Sequence, residues 1–196
     1  MPKKKLKKAI TTKKTFKAAF IKLYRTTRLE NISIQKLSEL AGFSRGTFYT
    51  YYQDIYDLLE EVESELLAEW GPYFNWEDYQ NNDSGRRGDP YPSMVRWYDY
   101  CQKNKDALIA LMGPTGDPSF WHKVRLRLRE DIRLLMQTDG APKDAPNEFM
   151  LEYMVDGTLS ILRYWLENDT KYSAEQMAYN ANLLRKKWWE SRNRNR

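Results

Sequence analysis

The stretch from Ser33 to Tyr52 constrains the fold most, because it contains two helix starts and one helix stop close together. Ser33 can cap a first helix, since its hydroxyl can accept a bond from an unpaired N–H of the first turn. Gly42 stands where a helix commonly ends in a left-handed residue. Ser44 can then cap a second helix. This order predicts a helix-turn-helix whose recognition helix begins near Ser44.

Apolar residues recur at helical spacing through both predicted helices. The positions expected to face the core are Ile34, Leu37, Leu40, Ala41, Phe48 and Tyr52. In the helix before them, the expected inward positions are Phe16, Ala19, Phe20 and Leu23. The remaining positions of the second helix would face outward. The candidate DNA-binding residues are Ser33, Ser44, Arg45, Gly46, Thr47, Tyr49 and Tyr51. Arg45 can present a two-pronged guanidinium to a guanine edge, whereas the hydroxyl groups can position the helix on phosphates.

The run Ala41-Gly42-Phe43-Ser44-Arg45-Gly46-Thr47-Phe48-Tyr49-x-Tyr51-Tyr52 resembles the signature of the TetR family of bacterial transcription regulators. The resemblance extends over roughly 12–59. It implies an all-α protein that binds a near-palindromic DNA operator as a homodimer and responds to a small-molecule effector. Repression is the commoner outcome in that family, and Gly46 would allow close approach to the groove.

Two positions depart from the family pattern. The family usually has a Lys three residues after the aromatic that ends the recognition helix, where its ammonium meets a phosphate; here that position is Ile55. The family also favours Gly in the turn after the first helix, where this chain reads Thr27-Arg28-Leu29. The first departure removes one phosphate contact that the resemblance implies.

The charge of the chain is unevenly placed. Lys and Arg are frequent in residues 1–50, where Glu30 and Glu39 are the only acidic residues, and the remainder is net acidic. A basic head on an acidic body points to a polyanion bound at the N-terminal end. For Lys3–Lys8 taken alone, a solubilising tail is the better interpretation; together with the helix-turn-helix, the balance favours DNA.

Residues that could support catalysis or metal binding are scarce. Cys101 is the only cysteine and His122 the only histidine, so an internal disulfide, a His/Cys metal site and a His-dependent triad are not expected. The sequence contains no glycine-rich phosphate loop. We therefore expect no enzyme activity, no cofactor and no metal. Without a signal-peptide core or a run of transmembrane length, we expect a cytoplasmic protein.

Helical periodicity predicts about nine helices and no sheet. The expected elements begin with a first helix opening at Thr11 or Thr12, a long helix from Ile55 to about Tyr73 and a loop over 75–92. One helix from near Ser93 to about Met112 follows, and then a helix over Phe120–Met136, a linker over 138–146 and helices over Asn147–Asn168 and Ser173–Ser191. Arginines of the helix after Phe120 interleave with acidic residues, which favours a salt-bridged helix over a second nucleic-acid surface. The expected domains are 1–55 for DNA binding and 56–196 for effector sensing and dimerisation.

Aromatic residues are concentrated in the C-terminal part. They indicate either an effector cavity or a bulky core with a dimer surface, and the family resemblance favours the cavity. The candidate effector-binding residues are Trp97, Cys101, Phe120, Trp121, Tyr153 and Trp165. The last two helices have wide apolar faces, so we expect them to pair across a two-fold axis, with Gly157 allowing close approach.

Two other functions remain open on the sequence alone. A nonspecific or architectural nucleic-acid-binding protein would use the basic head without reading bases. A helical protein–protein adaptor would show no affinity for DNA at moderate salt. Binding under competition between DNA sequences separates these alternatives.

Overall fold

The computed structural model describes residues 2–81, 89–138, 140, 145–168 and 171–194. Within these ranges the chain forms ten α-helices and no strand, which confirms the all-α expectation. The helices are α1 (Pro2–Tyr24), α2 (Ile34–Ala41), α3 (Arg45–Tyr49), α4 (Ile55–Glu69), α5 (Trp76–Asn81), α6 (Pro92–Lys103), α7 (Lys105–Met112), α8 (Pro118–Thr138), α9 (Ala145–Glu167) and α10 (Ala174–Arg194). None of these helices is both long and apolar enough to cross a membrane.

The chain divides into two compact units. Unit 1 combines Met1–Glu69 with Asp106–Trp121, and unit 2 combines Trp70–Lys105 with His122–Arg196. The chain therefore passes between the units three times, the last time inside α8. The domains expected from the sequence, 1–55 and 56–196, divide the chain by function, and that division stays a prediction.

An aromatic cluster forms the core of unit 1. Phe16 of α1 is fully buried, and its ring meets Phe48 of α3 edge-on at a centroid distance of 5.5 Å. Phe43 and Tyr52 also pack against Phe16, at 5.3 and 6.4 Å. Rings in such contact stabilise a core beyond their buried area. The short α3 is thus attached to α1 through its own Phe48 and through one residue on each side of it.

The predicted inward side of α1 is confirmed, while that of α2 needs one correction. The α1 residues buried as expected are Phe16, Ala19, Phe20 and Leu23. On α2, Leu37 and Ala41 are buried, but Leu40 is 43% exposed. The prediction for Leu40 was wrong because α2 buries the side that carries Leu37, Ser38 and Ala41, and Leu40 lies outside that arc.

Ion pairs fix α1 on α4. Lys13 and Lys17 both bind Glu61, and Lys17 also binds Glu65. Burial works against the charged form of Lys17, yet its hydrogen bonds with the two carboxylates outweigh burial and raise its pKa. Burial likewise opposes the charge of Glu61, but hydrogen bonds from Lys13 and Lys17 lower its pKa. Both partners are therefore held in their charged forms at neutral pH.

The turn between α7 and α8 is also part of unit 1. The Thr115 hydroxyl donates to the Tyr24 carbonyl oxygen at 2.8 Å, and Arg25 pairs with Asp106 at 2.8 Å. A Cβ at Gly116 would lie 2.0 Å from the Leu111 carbonyl oxygen, so only glycine fits there. We call Asp106–Trp121 the strap, because it binds the C-terminal end of α1.

Unit 2 contains a second aromatic cluster and a salt-bridged helix pair. The buried Trp97 ring meets Trp70, Tyr73 and Tyr98 edge-on, at centroid distances of 5.0 to 5.3 Å. On α8, Arg125 pairs with Glu152 and Asp156 of α9, and Arg129 also pairs with Glu152. These pairs confirm the interpretation of the arginine-rich helix as salt-bridged.

Three helix boundaries differ from the sequence-based expectation. Helix α1 begins at Pro2 rather than at Thr11 or Thr12, since its first turns consist of good helix formers without a Gly. Helix α4 ends at Glu69 rather than near Tyr73, because Pro72 disfavours helix at the residue before it. The expected helix from Ser93 to Met112 is two helices, divided at Asn104.

The two expected connections lie only partly within the described residues. In the expected loop 75–92, Trp76–Asn81 forms helix α5, and 82–88 lie outside the described residues. The expected linker at 138–146 falls largely outside them as well, and α9 already begins at Ala145.

Candidate DNA-binding surface and effector cavity

The helix-turn-helix has the caps that the sequence predicts. The Ser33 hydroxyl accepts a bond from the Lys36 N–H at 3.2 Å, at the start of α2. Gly42 ends that helix at φ 73°, a left-handed conformation that favours glycine. The Phe43 N–H then donates to the Ser38 carbonyl oxygen at 3.0 Å. These bonds fix the angle at which the chain enters α3.

Helix α3 presents a polar surface on a buried support. The Ser44 hydroxyl accepts a bond from the Thr47 N–H at 3.1 Å and lies 3.0 Å from the Thr47 hydroxyl. Phe48 is fully buried, whereas Tyr49 is 51% exposed and Arg45 is exposed. The helix therefore exposes the guanidinium of Arg45 and the phenol of Tyr49, while Phe48 packs in the core of unit 1.

The other predicted DNA-binding residues lie on the same short stretch. Gly46 is exposed, and Thr47 and Tyr51 are half-buried. A Cβ at Gly46 would meet only the Ser44 hydroxyl, at 3.7 Å, so internal packing does not demand glycine there. Ser33 is exposed at the start of α2.

Ile55 occupies the position where the resemblance implies a lysine. Its side chain is buried at the start of α4. The N-terminal turn of that helix is capped by Asp54, whose carboxylate accepts from the N–H groups of Tyr56 and Asp57 at 2.8 and 2.9 Å. Because Ile55 serves the core, any phosphate contact at this end of α3 must come from another residue.

A cavity of about 290 Å³ lies in unit 2, largely between α9 and α10. Its walls are mainly apolar and rich in methionine. The lining residues are Tyr73, Met94, Tyr98, Met150, Tyr153, Met154, Gly157, Thr158, Ile161, Met177, Asn180, Ala181, Leu184 and Arg185. Methionine side chains adapt to irregular shapes, and a few polar groups among apolar walls are typical of small-molecule sites.

The polar end of the cavity is a group of buried phenols. Burial raises the pKa of Tyr73 to about 12, although nearby Arg185 and hydrogen bonds with Tyr98 and Thr158 act to lower it. Burial also raises the pKa of Tyr98. Both phenols are therefore neutral at pH 7 and can act as hydrogen-bond donors or acceptors toward a bound molecule.

The predicted effector-binding residues do not lie together around the cavity. Tyr153 lines the cavity and is 74% exposed. Trp97 and Trp165 lie one layer behind it, since their rings meet that of Tyr98 at 5.0 and 5.8 Å. Cys101 is fully buried, and burial raises the pKa of its thiol.

Two of the predicted effector-binding residues lie outside unit 2, and the sequence analysis missed most of the residues that line the cavity. Phe120 and Trp121 are part of unit 1. The signal that could have found the cavity is the methionine spacing: Met150 and Met154 lie one turn apart on α9, opposite Met177 of α10. The abundance of aromatic residues favoured tryptophans instead, of which Trp97 and Trp165 fill the core.

The C-terminal half of the chain matches a protein-family model. Residues 88–186 match a TetR-type model described as "Transcriptional regulator C-terminal region". Among curated proteins, the HTH-type dhaKLM operon transcriptional activator DhaS of Lactococcus lactis is 31% identical over 77 residues. That match covers 37% of this chain and 41% of the relative, so it spans about two fifths of the relative's length.

Solved structures of TetR regulators share the fold. A TetR transcriptional regulator from Streptococcus agalactiae superposes with a TM-score of 0.61 at 21% identity, covering 94% of this chain and 98% of that one. A TetR-family regulator from Streptomyces coelicolor gives a TM-score of 0.55 at 18% identity, covering 87% and 78%.

The family model covers half of the chain, and it describes regulators of transcription rather than enzymes. This match confirms the expectation that the chain is not an enzyme. It also agrees with the helix-turn-helix found at Ser33–Tyr52. The chain therefore belongs to the TetR family of transcriptional regulators.

Proposed function

We propose that the chain is a ligand-responsive regulator that binds a near-palindromic operator on double-stranded DNA as a homodimer, in the cytoplasm. The observation that carries this proposal is the exposure of Arg45 and Tyr49 on a helix anchored by the buried Phe48. A short, rigidly supported helix with outward polar groups is what the major groove accepts.

Each exposed group has a distinct role in this proposal. Arg45 reads a guanine, because its planar fork matches the O6 and N7 acceptors. Tyr49, Tyr51 and Ser33 position the helix on phosphates through their hydroxyls. The Ser44 oxygen accepts the Thr47 N–H, and the two hydroxyls lie 3.0 Å apart. One hydroxyl donates to the other, so one O–H of the pair is left to donate to a phosphate. Gly46 keeps the helix surface low enough for close approach.

Replacing Arg45 with Ala should relax base preference at one position of each half-site, at a cost of roughly 1–3 kcal/mol. The matched change Tyr49→Phe removes only a hydroxyl and should weaken all sequences about equally. Selection from a random duplex library, carried out on both variants, measures the effect. An unchanged selection profile for Arg45→Ala would show that Arg45 does not read bases.

The same selection distinguishes a sequence-specific regulator from an architectural DNA-binding protein. An architectural protein binds through phosphates alone and enriches no sequence. Enrichment of a two-fold symmetric site by the wild-type chain supports the regulator.

Exposed apolar side chains on α9 and α10 support the homodimer. Phe149 and Tyr153 are 75% and 74% exposed, and Ile161, Tyr164 and Leu184 are exposed as well. The α9 residues recur at intervals compatible with one side of a helix, so they form one stripe. A monomer seldom exposes so large an apolar surface. A second copy is the occupant we propose, since two such stripes pair in a four-helix bundle and two recognition helices need a fixed spacing.

The cavity between α9 and α10 is the effector site we propose in place of the sequence-derived set, of which Tyr153 is retained. Apolar walls with neutral phenols at one end fit a partly apolar molecule that carries a hydrogen-bonding group. The cavity and the proposed dimer surface share Tyr153, Ile161 and Leu184. A partner chain would thus cover part of the cavity.

Contacts between aromatic rings connect the proposed effector site to the residue that follows α4. Tyr73 and Tyr98 line the cavity and touch Trp97, which in turn touches Trp70. Trp70 directly follows Glu69, the last residue of α4. A ligand that moves the phenols could therefore shift the end of α4. A coupling of about 1.4 kcal/mol would change operator affinity tenfold.

A neutral fluorescent probe, N-phenyl-1-naphthylamine, should bind the cavity with one site per chain. Met154→Trp places an indole in the cavity and should weaken probe binding at least about tenfold, or ~1.4 kcal/mol. Cys101→Ala changes a predicted residue that does not line the cavity, so probe affinity should stay the same. If Cys101→Ala weakened probe binding and Met154→Trp did not, the effector site would include Cys101 and would not be this cavity.

The regulatory outcome is proposed to be repression, the commoner outcome in the family. The relative from Lactococcus lactis is named an activator, so activation is the alternative that the experiment has to distinguish. A reporter placed behind the selected operator measures the sign: deleting the regulator raises expression under repression and lowers it under activation.

A further inference from the structure

Residues 6–11 of α1 lie outside the core of unit 1. From Leu6 onward, the first buried side chain of this helix is Thr12. Leu6, Lys7, Lys8, Ile10 and Thr11 are exposed. We call residues 6–11 the N-terminal arm. It continues a packed helix instead of forming a separate tail.

The far end of α1 shows which way the arm runs. Tyr24 and Arg25 are held by Thr115 and Asp106 of the strap. The arm lies at the opposite end of the same helix. It therefore extends away from the strap.

The middle of α1 lies against the end of the recognition helix. Phe16 packs on Phe48, and the Lys13 ammonium lies 5.2 Å from the centre of the Tyr52 ring. With a rise of 1.5 Å per residue, Leu6 lies about 10 Å beyond Lys13 along the axis. The arm thus projects past the end of the helix-turn-helix.

The positive charges of Lys7 and Lys8 are not neutralised within the part of the chain whose side chains the structure describes. Lys13 and Lys17 are paired with Glu61 and Glu65, but no ion pair is formed there by Lys7, Lys8 or Lys14. Ahead of Glu30 the sequence contains no acidic residue. Lysines crowded on one helix repel each other, and a polyanion relieves this repulsion.

We propose that the N-terminal arm binds phosphates of the duplex beside the recognition helix, an inference that rests on the DNA-binding function proposed above. Such contacts carry no sequence information, so they strengthen binding to operator and non-operator DNA alike. A membrane surface fits less well, because Leu6 and Ile10 make a narrow apolar strip and membrane-bound helices need a wide one.

The salt dependence of binding to a mixed-sequence duplex tests the proposal. The slope of log K against log salt is measured by fluorescence anisotropy over about 50 to 200 mM KCl. In the variant Lys7→Gln/Lys8→Gln it should fall by about 0.9 for each phosphate that the protein no longer neutralises. Binding to operator should weaken by the same factor, with the order of preferred sequences unchanged.

The control variant Lys171→Gln/Lys187→Gln removes the same charge from exposed positions of unit 2, and it should keep the wild-type slope. Circular dichroism checks that both variants are folded. An unchanged slope in the arm variant, or an equal loss in the control, would overturn the proposal. So would weakened binding to phosphatidylglycerol vesicles with an unchanged DNA slope. If the wild-type chain bound no duplex at all, the proposed function itself would fail.

Discussion

Replacing both Ile161 and Leu184 with Glu is expected to give a monomer that binds operator roughly 10²–10⁴-fold more weakly. The loss arises because two linked recognition helices bind as one event, whereas separate helices bind independently. Two carboxylates buried in the proposed bundle would each lose hydration without a partner. Sedimentation velocity at micromolar concentration reports the mass, and anisotropy reports the operator affinity.

Two further variants separate dimerisation from effector binding. Phe149→Glu with Tyr164→Glu changes exposed residues outside the cavity lining, and it should also give a monomer. Leu126→Glu with Leu134→Glu changes exposed apolar residues on α8, and it should leave a dimer. A wild-type chain that sediments as a monomer would contradict the four-helix bundle.

Phe16→Ala is expected to destabilise unit 1 by about 3–5 kcal/mol, since it removes a fully buried ring. Phe16 touches Phe43, Phe48 and Tyr52, so its loss should detach α3 from its support. Hydrogen exchange of the α2 and α3 amides should accelerate, and DNA binding should fall accordingly.

The matched control lies on the same helix. Leu6→Ala removes an apolar side chain that is 63% exposed, and surface changes of this kind usually stay within about 0.5 kcal/mol. Equal urea midpoints for wild type and Phe16→Ala would show that the aromatic cluster does not hold the recognition helix.

The helix-turn-helix could be predicted closely because its signals are local. Ser33, Gly42 and Ser44 act on groups within a few residues of themselves, so their roles do not depend on distant neighbours. The start of α1 was misjudged for the opposite reason. A run of lysines without a capping residue is typical of an unstructured tail. The helix nevertheless extends through this run, because the packed turns after Thr12 nucleate α1.

The cavity could not be derived in the same way. Helical spacing shows which side of a helix is apolar, but it does not show which other helix that side meets. Trp97 and Trp165 are buried, but they pack behind Tyr98 instead of lining the cavity. Phe120 lies in unit 1 because the division between units falls inside α8, where nothing in the local sequence marks it.

The strap has a consequence for how the protein is made and how it can be re-engineered. Asp106–Trp121 completes unit 1, although residues 70–105 belong to unit 2. A ribosome must therefore synthesise the chain past Thr115 before the bonds to Tyr24 and Arg25 can both form. Consider a chimeric regulator in which residues 1–69 are joined to the effector-binding domain of another protein. Such a chimera would lack the strap. A working chimera therefore needs Asp106–Trp121 grafted together with the head.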